Sequence, residues 1–370
     1  MRRPLRRRPP HGFVRTVLAA ALLCLGMTPR ARAAQDDGWQ PAPYTLGQGL
    51  YFPQQGLRVG GYADLHFYDI KEHHPTYSFR DVSLFVTKDL GPRWQAFVEL
   101  DLGDALDVSG RHASSHDSEL SVERLYLDYH VDQAVNFRYG KFLTPVGEWN
   151  LVHADPLTWT VSRPLTTSAA FARHATGAMM FGTTPVAGND LDYWLYVDDS
   201  SHLHIGQDQD HAYDSFGADS SLRNNFRHAV GGRALYHLLD DRLAIGLSLL
   251  DYELQRPRQQ YHLAGVDFSW SGRHLEMTGE AIRRSGGPAG QPAEHGGFLE
   301  VEVPVRRRLY LVGRFERYRS SGTAQAATVR TVGFNYRPVP GVVLKLERRD
   351  GNHNLELAPT GWLASVAVLF

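Results

Sequence analysis

Residues 143–173, "LTPVGEWNLVHADPLTWTVSRPLTTSAAFAR", carry Glu148, His153 and Asp155 alongside Arg163 and Arg173, with Lys141 at the base of the stretch. Acids and guanidiniums gathered on one segment are the chemistry of opposed charge: held across a water-filled passage, they set a transverse field that sorts ions by sign. Bond-making chemistry has no comparable signal. The chain lacks G-x-S-x-G and H-E-x-x-H, and its one cysteine is Cys24.

A second cluster lies at Asp198–Asn225, with Asp198, Asp199, Asp208, Asp210, Asp214 and Asp219 beside His202, His204 and His211, and no basic residue before Arg223. Oxygen ligands at that density could hold Ca²⁺. The "DQDHAYD" spacing, however, lacks the glycine and closing glutamate of a calcium loop, and scattered histidines make no zinc pattern. The expectation is a solvated acidic surface loop with no metal and no cofactor; His73 and His74 read the same way.

The elements that position these residues follow a period of two from residue 57 onward. In "WQAFVELDL", Trp94, Ala96, Val98, Leu100 and Leu102 share one face, and Gln95, Phe97, Glu99 and Asp101 the other. "RLYLVGRFERY", "FLEVEV" and "VVLKLER" repeat the pattern. Sixteen such segments begin near Leu57, Tyr77, Arg93, Glu119, Ala134, His174, Asp190, Arg227, Asp241, Gln260, Arg273, His295, Arg308, Ala327, Gly341 and Gly361. Their connections alternate between short turns ("DLGPR", "VDQ", "LLDD") and longer polar loops, the largest being 143–173 and 198–225. A β-sandwich also alternates along its strands, but it does not call for sixteen strands of about ten residues or for a strict short-long order. A transmembrane antiparallel β-barrel calls for both, with short periplasmic turns and long extracellular loops.

In lipid a sheet must close to pair every backbone group, so the last segment, "GWLASVAVLF", is expected to pair with "LRVGGYADLHF", with Trp362, Ala364, Val366, Val368 and Phe370 facing outward. Charged positions alternate with the outward rows, placing Arg124, Arg138, Arg233, Arg314 and Lys345 on the lumen wall with Asp128, Glu276, Glu280, Glu300, Glu302, Glu316 and Glu347.

The first 33 residues order six arginines, an apolar run and "ARA", the arrangement of a secretory signal peptide cleaved after Ala33. Residues 34–56 then read as a short, irregular periplasmic leader and 57–370 as the barrel. Removing the eight arginines of residues 1–33 leaves 31 basic against 40 acidic residues and no cysteine. That balance disfavours nucleic acid as a partner and implies a fold that does not rely on disulfides.

An alternating final strand ending in Phe370 resembles the C-terminal signature of Gram-negative outer-membrane proteins, which implies a cell outer-membrane location, contact with outer-membrane lipid and lipopolysaccharide, and recognition by the barrel-assembly machinery. "FRYGKFLTPVGEWN", from Phe137, is similar to the "GKF-TP-G" passage of the phosphate-selective porin O and P family. The resemblance implies a porin passing small hydrophilic solutes and ions, a homotrimer, and a loop at 143–173 that folds into the pore. Lys141, Glu148, His153, Asp155, Arg163 and Arg173 would then form the constriction. No basic ladder accompanies the resemblance, so phosphate specificity does not follow from the residues. Two other readings stay open: a barrel with a blocked lumen serving adhesion or structure, and an outer-membrane hydrolase, which is usually built on fewer strands.

Overall fold

A strand with an apolar row on one face still carries unpaired N–H and C=O groups along both edges, and a sheet that closes on itself satisfies row and edges together. The computed structural model describes residues 44–370 except 111, 116–117, 153, 202–225, 256–257, 289, 322–324 and 353–356. The expected signal peptide, most of the leader, His153 and most of the acidic loop therefore lie outside the described residues.

Among the described residues nineteen strands form one sheet. Two short strands, β1 (Tyr44–Thr45) and β2 (Gly49–Phe52), come first. The wall begins with β3 (Leu57–Ile70), β4 (Thr76–Asp89) and β5 (Trp94–Ser109), and β6 (His112–Ser114) is a short addition to β5. The wall continues through β7 (Glu119–His130), β8 (Asn136–Leu143), β9 (His174–Val186), β10 (Asn189–Asp198), β11 (Phe226–Leu238) and β12 (Leu243–Leu254). It is completed by β13 (Gln260–Ser271), β14 (Glu276–Gly286), β15 (Glu294–Arg306), β16 (Leu309–Arg319), β17 (Ala327–Val339), β18 (Val342–Asn352) and β19 (Gly361–Leu369). Each wall strand pairs antiparallel with its sequence neighbour, and β19 returns to β3 in the register Gly361↔Ile70 to Leu369↔Tyr62. The result is a closed barrel of sixteen strands, each starting within three residues of its expected position.

Connections of two to five residues alternate with connections of five to thirty. The expected irregular leader differs in one respect: β2 pairs with β3 through Leu50↔Val59 to Phe52↔Leu57, because β3 begins with backbone groups that β19 does not reach. The wall also runs further than the sequence pattern suggested at β5, whose ladder with β4 continues to Thr76↔Ser109.

Alternation sets the two faces. Ile245, Leu247 and Leu249 of β12 are about half exposed on the outside, while Ser248, Leu250 and Tyr252 are buried inside. On β19, Trp362 is exposed and Leu363, Ser365 and Ala367 are buried. Half-exposed Leu, Val and Phe recur on strand after strand, a band that suits acyl chains and would be costly in water. Inside, buried side chains including Phe142, Leu165, Phe171, Leu250, Ile282 and Val329 form a core between the wall and the segment linking β8 to β9.

Candidate functional site: the loop held inside the barrel

The segment between β8 and β9 starts from two glycines. Gly140 has φ +134°, and a Cβ there would stand 2.2 Å from the Leu125 carbonyl oxygen. Gly147 has φ +64°, and a Cβ there would stand 2.6 Å from the Glu280 carboxylate. Both positions require glycine, for conformation and for space. Between them, Thr144 donates its backbone N–H to the Arg173 carbonyl (2.8 Å) and its hydroxyl to the Ala172 carbonyl (2.7 Å), so the two ends of the loop are clasped where it leaves the wall.

Beyond Gly147 the chain turns inward and lies along the inner faces of β12 and β14–β19. Four wall carboxylates receive it. Glu280 accepts the backbone N–H groups of Glu148 (2.9 Å) and Trp149 (2.7 Å) on one oxygen. Glu347 accepts those of Val161 (2.8 Å) and Ser162 (3.1 Å), and Glu316 accepts that of Leu165 (2.8 Å). Glu300 accepts the Thr160 hydroxyl (3.0 Å). Arg314, between Glu300 and Glu316, donates to Thr160 Oγ1 (2.5 Å) and Ser162 Oγ (2.6 Å). A loop without strand partners has backbone donors to satisfy, and buried acidic side chains take them in charge-assisted hydrogen bonds. The one-turn helix Leu165–Ala169 closes the arc, with Tyr252 and Arg284 donating to the Ala170 carbonyl at 2.5 and 3.0 Å.

Asp155 anchors the middle of the loop. Lys345 Nζ donates to its Oδ1 (3.0 Å) and its carbonyl (2.6 Å), Ser365 Oγ donates to Oδ2 (2.9 Å), and His66 Nε2 stands 3.5 Å from Oδ1. Burial pushes the Asp155 carboxyl up, but Lys345 and then His66 outweigh it and hold the group well below the usual carboxylate range. Asp64, His66 and Asp155 place one ligand-type atom each within 4.8 Å of one another, and the Lys345 ammonium already supplies positive charge at that carboxylate.

The expected constriction residues divide. Asp155 is 4% exposed beneath Lys345 and Ser365. Arg163, 1% exposed, donates to Asn150 Oδ1, and its guanidinium lies 5.2 Å from the Trp149 ring centre. Arg173, 4% exposed, pairs with Glu123 at 2.7 Å. These charges hold the loop and do not front an aqueous passage. Lys141 departs further: it shares the outward row of Phe137 and Tyr139, where its ammonium donates to the Val122 carbonyl (2.7 Å). Strand alternation puts it on that row, because β8 keeps unbroken register with β9 through Gly140↔Gly177 and Lys141↔Thr176. Glu148 is the half-exposed member; burial pushes its carboxyl up, against the pull of Arg233.

The expected wall charges all face inward, yet Arg314 and Lys345 lie under the loop and Arg233 is bound to Asp267 at 2.5 Å. Arg124 and Arg138 keep partial exposure, the first paired with Glu99 and the second held by both Asp128 oxygens at 2.8 Å. Asp198 is buried and accepts from the Thr176 N–H (2.6 Å) and Ser200 Oγ (2.7 Å), so it belongs to the β10 end and not to a solvated loop.

Sequence reading missed the neutral partners: Asn150, whose amide bridges the Thr144 and Arg173 carbonyls at 2.9 and 3.1 Å, Asn335, which donates to the Trp159 carbonyl (3.1 Å), and Thr160 with Ser162. One signal was available. β12 and β17 carry apolar residues on their inner faces too, as with Leu250 and Val329, and a wall strand apolar on both faces marks where something packs inside.

Comparisons with known proteins bear on this arrangement. The model of the family described as phosphate-selective porin O and P matches residues 56–201, which include the loop but stop short of the strands carrying the four cradle carboxylates. An uncharacterized protein of Aquifex aeolicus is 21% identical over 345 residues, covering 80% of this chain and 76% of that protein. Among solved structures, the anion-selective porin from Comamonas acidovorans superposes with a TM-score of 0.57 at 13% identity, covering 85% of this chain and 99% of that one. The outer membrane channel DcaP of Acinetobacter baumannii gives 0.56 at 12% identity, covering 87% and 100%. In-vitro folded OmpT of Vibrio cholerae, in its trimer form, gives 0.55 at 10%, covering 85% and 99%.

Proposed function

We propose that the chain is an outer-membrane porin, resembling the phosphate-selective porin O and P family over residues 56–201, and that it passes small hydrophilic solutes and ions by passive diffusion through a lumen narrowed by residues 144–173. The observation that carries this reading is the loop itself, which the four-carboxylate cradle holds against one side of the wall from β12 to β19. The core that packs the loop continues through Met179, Tyr196, Phe226 and Ala229 of β9 to β11, and the half-buried inward side chains of β4 to β10 are the wall surface left beside the lumen in this reading. Fixing the loop in this way gives a passage of set width, which a channel needs and a loop-mediated adhesin does not.

Selection by sign of charge is weak in this proposal. Arg163 and Arg173 are spent within the loop's own packing, and Arg124, Arg138 and Arg233 each stand against a carboxylate. Anion selectivity, which the Comamonas porin has, finds no unpaired row among the wall arginines Arg124, Arg138 and Arg233 to support it. We further propose removal of residues 1–33 on export, assembly by the barrel-assembly machinery among lipopolysaccharide, no catalysis, and a homotrimer, the form in which the Vibrio barrel was solved.

Single-channel recording of the refolded barrel in a planar bilayer tests the reading. Discrete steps with a reversal potential near zero across a tenfold KCl gradient are expected. A folded barrel that gives no steps would sink the channel, and a strongly anion-directed potential would restore a phosphate-type filter.

A further inference from the structure

The inner wall on β4 to β10 carries a feature that passive diffusion does not require, three of its rings, Tyr126, Phe181 and Trp194, also packing against the buried core. The inward rows of β4, β5, β7, β9 and β10 present Phe85, Phe97, Tyr126, Phe181 and Trp194, all half-buried, with β8 between β7 and β9 contributing Arg138 in place of a ring. The rows are in register, with Phe97 opposite Tyr126 and Phe181 opposite Trp194. Phe97 and Tyr126 stack at 4.9 Å with 19° between their planes, and Phe85 lies 6.2 Å from Phe97.

Arginines join the rings into one track. Arg138 lies 3.6 Å from the Tyr126 centre and 5.1 Å from that of Phe181. Arg124 stands 4.9 Å from Phe97, and Arg233 stands 5.4 Å from Trp194. Each guanidinium is held at the same time by a carboxylate: Glu99, Asp128 or Asp267. A guanidinium laid on a ring is weakly hydrated, so ring and cation together form a flat surface with polar edges. The loop itself exposes Val152 and Leu157, 39% and 50%.

We propose that this track binds neutral saccharides in transit, an inference that rests on the channel reading above. A sugar ring has an apolar C–H face that suits an aromatic surface, and a rim of hydroxyls that each donate and accept a hydrogen bond. Such hydroxyls satisfy a guanidinium and its carboxylate together without separating them. An inorganic anion would have to displace Glu99, Asp128 or Asp267 to gain a full contact, and an acyclic polyol has the hydroxyls without the face. Near Arg233 the loop also supplies the Glu148 carboxylate, a further acceptor.

The test is current block by maltotriose in the planar bilayer, with sorbitol and sodium phosphate as comparison solutes, and a titration of maltotriose against tryptophan fluorescence of the barrel in detergent. Saturable block by maltotriose is expected, with sorbitol lowering current only as its viscosity dictates. Phe97→Ala should raise the half-blocking concentration about tenfold and Tyr126→Ala likewise; Phe97→Leu, which keeps the bulk of the side chain, serves if the alanine variant does not fold. Steps without saturable block, or block by phosphate and not by the sugar, would overturn the saccharide track and leave the channel standing. Absence of steps together with absence of a fluorescence change would remove both.

Discussion

Asp155 shows how a single side chain can be read two ways until its neighbours are known. As a sequence residue it is a charge on a loop; in the barrel it is the acceptor for Lys345 and Ser365, with His66 Nε2 3.5 Å away. Removing its charge leaves the Lys345 ammonium buried with a poorer partner, a change that costs about 3 kcal/mol in comparable buried pairs. Asp155→Asn is therefore expected to expose residues 144–173 to protease at lower urea than the unaltered chain. The pH dependence follows from the same geometry. The folded carboxyl sits below its unfolded value, so its contribution is in place above the unfolded value of about 3.9 and is lost only as pH falls through the lower, folded one. The difference in protection between the two proteins should stay constant from pH 7 to about 4 and shrink below that. A difference that already fades well above pH 4 would mean that the Asp155 carboxyl is not held below its ordinary range.

The loop as an element is held by acids taking backbone donors, and its position is therefore set jointly by Glu280, Glu300, Glu316 and Glu347. A hydrogen bond to a charged group contributes about 1.5–3 kcal/mol; losing Glu280, Glu316 or Glu347 leaves one or two buried N–H groups unsatisfied, and losing Glu300 removes the acceptor of the Thr160 hydroxyl. Glu280→Ala with Glu347→Ala should free the loop from both ends of its arc and raise single-channel conductance with noisier open levels. Gly147→Ala should act in the same direction, since its Cβ would meet the Glu280 carboxylate and its φ of +64° is strained for alanine. Unchanged conductance in both would mean that apolar packing, through Phe171 and Leu165, holds the loop without the cradle. Charge reversal at Arg163 and Arg173 belongs to this scale as well: both are buried, so the expected result is a loosened loop and not a shifted ion preference.

For the whole molecule, the seam decides whether a barrel exists. Phe370 exchanges two backbone hydrogen bonds with Gly61, both 2.8 Å, and its ring lies so close that a Cβ on Gly61 would be 3.0 Å from it. Deleting Phe370 removes both bonds and the ring, whereas Phe370→Tyr keeps all three. The deletion should lower the yield of folded, heat-modifiable barrel well below that of the tyrosine variant; equal yields would place the closing contribution further along β19.

The barrel was legible in the residues because lipid imposes a local rule: outward positions must be apolar, inward ones polar, and the period is two. That rule is written into each strand separately, so the sixteen strands, their starting positions to within three residues and the inward row of Arg124, Arg138, Arg233, Arg314 and Lys345 followed from alternation, and the seam between β19 and β3 from the need to close the sheet. Which of those charges meet water did not. Glu280 is 132 residues from its partner Glu148, and Lys345 is 190 from Asp155. Alternation says which way a side chain points and nothing about what comes to meet it. Only the tertiary path of residues 144–173 turned the wall acids from a lumen lining into a cradle and buried Asp155, Arg163 and Arg173.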